Sequence, residues 1–397
     1  MNKKARRLWQ ATLLLLCLTP AAISFAQVSA NSHGSKRTQT LQVGSGKLYA
    51  LPSQAAAAAR DGDIIEINAG TYDGDVAVWT ANDLTLRGVG GRPRLRAGGK
   101  SAEGKAIWVI KGNNTTIENI EFAGATVDDH NGAGIRQEGA RLTIRNCYFH
   151  DNENGILAGA NQNSQILIEN SEFADNGYGD GRTHNIYIGN IRAFTLQGSY
   201  VHHAKSGHNI KSRAQSNYIL YNRIMDEKTG TASYEIDIPN GGRSYIIGNM
   251  IQKGTRAENS TLISYAAEGA ANESQELYVV NNTFVNDRHA GIFVQVRGNL
   301  SQARLVNNIF SGRDTVLKGV GIMSHNLVGG DLRFVDKANF NYRLSAGSAA
   351  VDAGTDPGAA GEVNLRPIYE YVHPMDRKTR PVVGPIDIGA YEYSKGQ

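Results

Sequence analysis

The chain has 397 residues, of which 41% are hydrophobic and 20% charged, and this composition excludes an intrinsically disordered or fibrous protein. Lysine and arginine number 41, against 37 aspartates and glutamates. Lys3, Lys4, Arg6 and Arg7 lie in the first 26 residues, which contain no acidic residue, so the basic and acidic residues of the remainder balance. The net charge of +4 therefore does not indicate nucleic-acid binding, and we expect no nucleic-acid partner.

The first 26 residues have the pattern of a secretory signal peptide. The four basic residues precede an apolar stretch at residues 11–18, and a small-residue pattern ending at Ala26 fits a cleavage site. We therefore predict a secreted or periplasmic protein, and no later apolar run is long enough to predict a transmembrane segment. Residues 27–42 are predicted to be a polar leader. Cleavage would leave Cys147 as the only cysteine, which excludes an internal disulfide.

A recurring phrase, Ile-x-Asn-x-x-Phe or a close variant, predicts the architecture. Its first residues are Ile117, Ile144, Ile168, Leu196, Ile219, Ile246, Val279 and Leu305, at spacings of 23 to 33 residues. A second apolar position recurs between these phrases, in short alternating segments, at Ile135, Ile156, Ile186, Ile210, Ile236, Ile263 and Ile292. Such spacing is typical of coils closed by loops of variable length. We expect each strand to pair in parallel with its equivalent one coil later.

Asparagines at one position of successive coils support this stacking. Asn222, Asn249, Asn282 and Asn308 fall in register within the recurring phrase. Side-chain amides stacked in this way can hydrogen-bond to one another along a ladder. We therefore predict a structural role for them and no catalytic one.

The start of the repeat region predicts a short capping helix. Pro52-Ser53-Gln54 is followed by five alanines, which favour a helix, and Gly62 ends it before a strand that begins at Ile64. A helix here would cover the first open edge of the stack, where unpaired strands would otherwise recruit other chains.

Both ends of the repeat region also resemble a known family. Residues 57–72 resemble the N-terminal cap of right-handed parallel β-helix proteins of the pectin-lyase-like superfamily. Similar closing phrases occur at residues 342–344, 347–354 and 385–393. The resemblance implies an all-β fold, a single right-handed parallel β-helix of about ten coils. We assign the capped β-helix to residues 43–320 and the final coil and C-terminal cap to residues 321–397. We expect the protein to be a monomer.

Alternation around the inward isoleucines predicts a polar patch on the outer face of three adjacent coils. The residues before and after each isoleucine should face solvent, with stacked neighbours about 4.8 Å apart. The predicted patch contains Asn185, Tyr187, Asn209, Lys211, Arg213, Glu235 and Asp237. The alternative interpretation is an ordinary exposed ion pair between Lys211 and Asp237, which would contribute little.

Two histidines hold the same register next to this patch. His184 and His208 either stack just inside the turn or line the edge of a groove as general acid or base, a role that suits their usual pKa. A zinc site formed by the same two histidines and His203 is a third alternative.

A groove along a β-helix suits an extended polymer, so we expect an anionic polysaccharide as the partner. A lyase acting on a uronic-acid polymer must neutralise the carboxylate, remove the C5 proton and protonate the leaving oxygen. Arg213, or calcium held by Glu235 and Asp237, is the candidate for the first role. Lys211 or His208 is the candidate base, and Tyr187 or a histidine the candidate acid. Asn185 and Asn209 are candidate ligands of substrate or calcium.

A second resemblance concerns the base. Asn209-Ile210-Lys211-Ser212, followed by Asn217, resembles the Lys-Ser…Asn phrase of β-helix alginate and chondroitin lyases. The resemblance implies that Lys211 is the base. The phrase has two extra residues before the asparagine here, and residues 238–242 replace the arginine that those enzymes carry on the next coil.

The sequence also fits three other functions. Glu235 and Asp237, at i and i+2 on one strand, would lie about 6–7 Å apart, a separation that fits an inverting glycoside hydrolase. A uronate epimerase on the same scaffold is the second alternative. A non-catalytic, carbohydrate-binding or surface-structural β-helix is the third.

Overall fold

The computed structural model describes residues 38–298, 302–330 and 332–394. The predicted signal peptide and residues 27–37 of the predicted leader lie outside the described residues. The described chain is a solenoid of about ten turns, built from three parallel sheets and very little helix. The prediction of an all-β, right-handed parallel β-helix is confirmed. Its first strand begins at Thr40, inside the stretch predicted as leader.

Each complete turn contributes one strand to each sheet, in the chain order sheet one, sheet three, sheet two. The strands of sheet one are Thr40–Val43, Ile64–Asn68, Thr85–Val89, Thr115–Glu118, Leu142–Arg145, Asn161–Glu169, Ile191–Gln197, Ser216–Leu220, Arg243–Ile247, Glu276–Val280, Gln302–Val306 and Ile322–Ser324. The strands of sheet two are Ala77–Trp79, Ala106–Ile110, Ala133–Gln137, Asn154–Ala158, Ile186–Ile188, Ile210–Ser212, Ile236–Ile238, Thr261–Tyr265, Ile292–Val296 and Thr315–Lys318. The strands of sheet three are Thr71–Asp73, Arg94–Arg96, Glu121–Ala123, Tyr148–His150, Glu172–Ala174, Tyr200–His202, Arg223–Met225, Met250–Lys253, Thr283–Asn286, Ile309–Ser311 and Leu327–Val328.

The apolar positions found in the sequence form the core between the three sheets. The second column is fully buried at Ile135, Ile156, Ile186, Ile210, Ile236 and Ile263. The prediction for Ile292 is wrong, because Val294 is the register partner of Ile263 and Ile292 is only partly buried. Sheet three adds a continuous aromatic stack, in which the ring of Phe149 lies 4.9 Å from Phe122 and 4.7 Å from Phe173.

The predicted asparagine ladder is confirmed. The Nδ2 atom of Asn222 donates to Oδ1 of Asn249 at 3.0 Å, Asn249 to Asn282 at 2.9 Å, and Asn282 to Asn308 at 3.0 Å. Asn326 extends the ladder by one coil, since it accepts from Asn308 at 2.9 Å. These amides satisfy backbone groups of the buried turn, so they serve structure.

The N-terminal helix is Pro52–Ala58, and it covers the first coil as predicted. Pro52 stands at the start of the helix, where a missing N–H costs nothing. Gln54 accepts a hydrogen bond from the Leu51 backbone N–H at 3.2 Å and so closes the first turn. Pro52, Ala55 and Ala56 are the buried residues of the helix.

The segment predicted as the C-terminal cap packs along the side of the solenoid. It contains three small antiparallel pairs, Phe334–Asp336 with Asn341–Leu344, Ala359–Ala360 with Val363–Asn364 and Tyr369–Val372 with Asp376–Thr379, and the 3₁₀ turn Lys337–Asn339. Tyr342 and Tyr371 pack on the outer face of sheet three. Among the described residues, the last coil is not covered, with Val320 84% and Ile322 64% exposed.

Candidate functional site

The residue that precedes each short strand of sheet two points inward, contrary to the alternation expected from the sequence. Asn185, Asn209 and Glu235 were predicted to face solvent, and all three are fully buried. Each is the last residue of the loop that joins sheet three to sheet two, and strict alternation does not extend from such a loop into a three-residue strand. The prediction that these three side chains belong to the outer patch is therefore wrong.

Glycines confirm the inward direction at the position before the inward isoleucine. On earlier coils it is occupied by Gly134 and Gly155, where a Cβ atom would lie 2.9 Å from a ring carbon of Phe149 or Phe173 respectively. Later coils have Leu262 and Phe293 there, both fully buried. The middle coils place amides and a carboxylate in this column.

The buried polar residues form a column that ends in an ion pair. Asn185 donates to Asn209 at 2.7 Å, and Asn209 donates to Oε2 of Glu235 at 2.6 Å. Oε1 of Glu235 accepts from the Nζ atom of Lys253 at 2.9 Å. Both charged side chains are fully buried, and Lys253 also faces the carboxylate of Asp226 at 3.8 Å. Both carboxylate oxygens of Glu235 are thus bound to buried groups inside the solenoid.

This placement does not fit the calcium site expected from the sequence. The two carboxylates assigned to it, Glu235 and Asp237, lie on opposite sides of the strand, and each already faces a lysine ammonium. Elsewhere in the described ranges, no three histidine, cysteine or acidic side chains are grouped as metal ligands. That finding also leaves the zinc alternative without its site, since the ring of His203 packs against His202 on sheet three.

The residues after the inward isoleucines do form a row on the outer face, as predicted. Tyr187 is the register partner of Lys211, which is in turn the partner of Asp237. The Nζ atom of Lys211 lies 3.5 Å from Oδ2 of Asp237. The Lys211 and Asp237 side chains are only 12% and 5% exposed, so this pair is more enclosed than an ordinary surface ion pair.

Arg213 joins the row from the end of its strand. Its Nε atom donates to the hydroxyl oxygen of Tyr187 at 3.1 Å, and its Nη1 atom donates to the side-chain oxygen of Asn240 at 2.5 Å. Lys211, Arg213 and Tyr187 therefore converge on one place on sheet two.

A residue that the sequence did not reveal bridges the two cations. Glu268 accepts from Lys211 Nζ at 2.9 Å through Oε1 and from Arg213 Nη2 at 2.6 Å through Oε2. It belongs to the loop that follows the strand Thr261–Tyr265. This loop carries no repeat pattern. We refer to Tyr187, Lys211, Arg213, Asp237 and Glu268 as the outer cluster.

The two histidines lie beside the outer cluster and are nearly buried. Their rings stack at 4.6 Å, and Nδ1 of His184 accepts from the His208 backbone N–H at 3.0 Å. The Nε2 atom of His208 faces Asp237 at 3.5 Å. The pair therefore packs inside the turn, the simpler of the two arrangements expected.

Burial sets the protonation of these groups. Burial, helped by the Lys211 charge, lowers the pKa of His208 to about 3, and burial lowers the pKa of His184 well below its usual value. Burial raises the pKa of Asp237 although Lys211 opposes the rise. Burial opposes the shift at Glu268, but hydrogen bonds from Lys211 and Arg213 lower its pKa. The histidines are thus neutral at neutral pH, and Glu268 is ionised.

Comparison with known proteins agrees with this fold. A family profile described as "Right handed beta helix region" matches residues 74–181. The crystal structure of pectate lyase Pel9A matches with a TM-score of 0.65 and 15% identity, covering 90% of this chain and 97% of that chain. An alginate lyase from Paenibacillus sp. str. FPU-7 has a TM-score of 0.42 at 15% identity, covering 74% of this chain and 99% of that chain.

The A-module of the Azotobacter vinelandii mannuronan C-5 epimerase AlgE6 has a TM-score of 0.41 at 15% identity, covering 70% of this chain and 93% of that chain. No curated protein matches the sequence. At 15% identity the likeness to Pel9A shows the fold alone, a right-handed parallel β-helix. Within the part of the chain that the structure describes, no helix is long and apolar enough to cross a membrane.

Proposed function

We propose that the protein is a secreted or periplasmic lyase that cleaves a uronic-acid-containing polysaccharide by β-elimination at the outer cluster. The observation that carries the proposal is the convergence of two cations and a phenol, with one carboxylate, that of Glu268, already bound between the cations. A site that holds a side-chain carboxylate in this way has the donors to hold the carboxylate of a uronate.

The reaction assigns one role to each of three residues. Arg213 neutralises the substrate carboxylate, which makes the proton on C5 removable. Lys211, which must be deprotonated to act as the base, takes that proton on Nζ, and the C5–H electron pair forms the C4–C5 double bond. The C4–O bond breaks, and the leaving oxygen takes a proton from Tyr187.

Tyr187 suits the role of acid because of its contact with Arg213. The Arg213 Nε–H occupies the phenol oxygen as an acceptor, so the phenol's own hydrogen is free to be donated outward. The guanidinium also stabilises the phenolate that remains after proton transfer.

His208 is the weaker candidate for the base. A pKa of about 3 makes its imidazole a poor proton acceptor, although it is neutral. His184 uses Nδ1 to accept the His208 backbone N–H, which leaves Nε2 to carry the ring hydrogen. We therefore assign both histidines a positioning role beside Lys211 and Asp237.

The scaffold supports the reaction class. Pectate lyase Pel9A, at a TM-score of 0.65, is built on the same β-helix along nearly its whole length. Because one fold can carry several chemistries, the assignment itself depends on the outer cluster.

The test is a screen of the purified protein against pectate, alginate, glycosaminoglycans and bacterial exopolysaccharides. We expect ultraviolet absorbance from the unsaturated uronate product on one of these classes, and its loss in Lys211→Ala. Lys318→Ala is the matched control, since Lys318 is an exposed lysine at the same outward position on the last strand of sheet two. Binding without product would indicate a non-catalytic protein, and unchanged activity of Lys211→Ala would exclude the assigned base.

One observation favours glycoside hydrolysis as a second candidate. The favouring observation is not the pair of Glu235 and Asp237 expected from the sequence, because Glu235 is buried. Asp237 and Glu268 form another pair, both next to Lys211, in which burial raises the pKa of Asp237 while Lys211 and Arg213 hydrogen bonds lower that of Glu268. Opposite shifts are typical of an acid and base pair. New reducing ends without ultraviolet absorbance, abolished in Glu268→Gln, would select this candidate.

A further inference from the structure

Glu268 reaches the two cations from an exposed loop. Its side chain is 47% exposed, whereas those of Lys211 and Arg213 are 12% and 24% exposed. The loop is flanked by left-handed backbone at Ala266, with φ of 57°, and at Gly269, with φ of 96°. The Glu268 backbone N–H donates to the carbonyl oxygen of Pro239 at 3.0 Å. The Glu268 carboxylate thus lies on the solvent side of Lys211 and Arg213, which are more enclosed.

The cations keep other partners that hold them in place without Glu268. Arg213 retains Tyr187 on Nε and Asn240 on Nη1. Lys211 retains Asp237 at 3.5 Å. The bridge from Glu268 is therefore not needed to aim either cation at the site.

A substrate carboxylate and the Glu268 carboxylate compete for the same donor. Both are planar anions that accept from the Nη2–H group of Arg213, so only one of them can occupy it at a time. On leaving, the Glu268 side chain passes into solvent, where an unpaired carboxylate costs little.

We propose that Glu268 occupies the carboxylate subsite of the unliganded protein, between Lys211 and Arg213, and that a uronate carboxylate displaces it on binding. This inference rests on the proposed function and makes it more specific. It assigns Arg213 to the substrate carboxylate and releases Lys211 from Glu268 to act as the base, and it makes the Glu268 side chain an internal competitor. Only ligands that carry a carboxylate can make the exchange, so neutral sugars are excluded from this subsite.

The exchange has a consequence for affinity. A ligand that must first displace a bound group binds with its intrinsic affinity reduced by the fraction of protein in which the subsite is free. Removing the Glu268 charge should therefore tighten uronate binding. If Glu268 instead held Lys211 and Arg213 in place for the substrate, removing its charge should weaken uronate binding.

The test is calorimetric titration of the full-length mature protein and Glu268→Gln with trigalacturonate and triguluronate, and with maltotriose as a neutral probe. We expect Glu268→Gln to bind a uronate trimer about five- to tenfold more tightly than the parent protein, as for a subsite free in 10–20% of molecules. Glu273→Gln, which removes an exposed glutamate from the same loop, should leave the affinity unchanged. Maltotriose affinity should not respond to either change.

The outcomes separate this inference from the proposed function. Tighter binding by Glu268→Gln without any elimination product would support displacement and contradict the lyase assignment. Equal or weaker uronate binding by Glu268→Gln would overturn displacement, even where elimination is observed. No uronate binding by any of the proteins would overturn both.

Discussion

The Nζ atom of Lys253 lies 2.9 Å from Oε1 of Glu235, with both side chains fully buried directly behind the outer cluster. The same ammonium donates to the carbonyl oxygens of Ala232 at 3.0 Å and Ser233 at 2.9 Å. Lys253 therefore fixes the start of the strand that carries Asp237, and Glu235 ends the column of buried amides.

Replacing Lys253 by methionine should destabilise the protein by about 3–5 kcal/mol, because it leaves Glu235 as an uncompensated buried charge. The double variant Lys253→Met/Glu235→Gln should recover part of the loss, since the amide can remain uncharged. Urea denaturation followed by circular dichroism measures the free energy of unfolding of the single and the double variant. Lys228→Met, at an exposed position, should change the free energy of unfolding by no more than about 0.5 kcal/mol. A double variant as unstable as the single one would contradict the explanation.

The stacking of the coils could be predicted from the sequence because it depends on residues that repeat. The column of Ile186, Ile210 and Ile236 and the ladder that includes Asn249 recur once per coil, and both lie where the repeat predicts. Parallel pairing in register then brings Tyr187, Lys211 and Asp237 together. The spacing of the repeat alone was enough to predict that these three residues are neighbours.

The parts of the site that were missed depend on geometry that does not repeat. Glu235 is the last residue of the loop before a three-residue strand, and the hydrophobic period of a strand does not predict the direction of a loop side chain. Glu268 lies 57 residues from Lys211, on a loop whose path is set by its own turns. Lys253, the partner of Glu235, is a charged residue at a fully buried position, where the sequence pattern predicts an apolar one.

Elimination by this protein should be independent of calcium. Asp237 faces Lys211 and His208, and Glu235 is occupied by Lys253, so neither carboxylate is free to hold the ion. We expect equal initial rates with EGTA and with EGTA saturated by calcium. The thermal unfolding midpoint should likewise not rise on adding calcium, because a ligand that does not bind the folded state cannot stabilise it. A rate lost with EGTA and restored by calcium would contradict this prediction.

Tyr187→Phe should lower kcat by about 10²- to 10⁴-fold, the usual contribution of a general acid. Arg213 remains to bind the carboxylate, so KM should change little. Steady-state kinetics on the substrate class found in the screen give both constants. Tyr178→Phe removes a hydroxyl from an exposed loop tyrosine and should leave both constants unchanged. A raised KM with an unaltered kcat would mean that Tyr187 binds substrate and donates no proton.

The stacked histidines should make the fold sensitive to acid. Burial lowers the pKa of His208 to about 3, against about 6.5 in the unfolded chain, and lowers that of His184 in the same direction. Below about pH 6 the unfolded chain therefore takes up protons that the folded protein does not. The stabilisation is fully present above pH 6.5 and is lost as the pH falls toward 3, by about 1.4 kcal/mol per pH unit for each histidine.

Removing one histidine should reduce this slope. Between pH 6 and pH 4, His208→Asn should lose stability more slowly than the parent protein, by about 1.4 kcal/mol per pH unit, because one fewer proton is taken up on unfolding. Urea denaturation at several pH values measures the slope, whatever stability the substitution itself costs at pH 7. His289→Asn, at an exposed position, should keep the parent slope. An unchanged slope in His208→Asn would mean that His208 is protonated inside the folded protein, where its charge would repel Lys211.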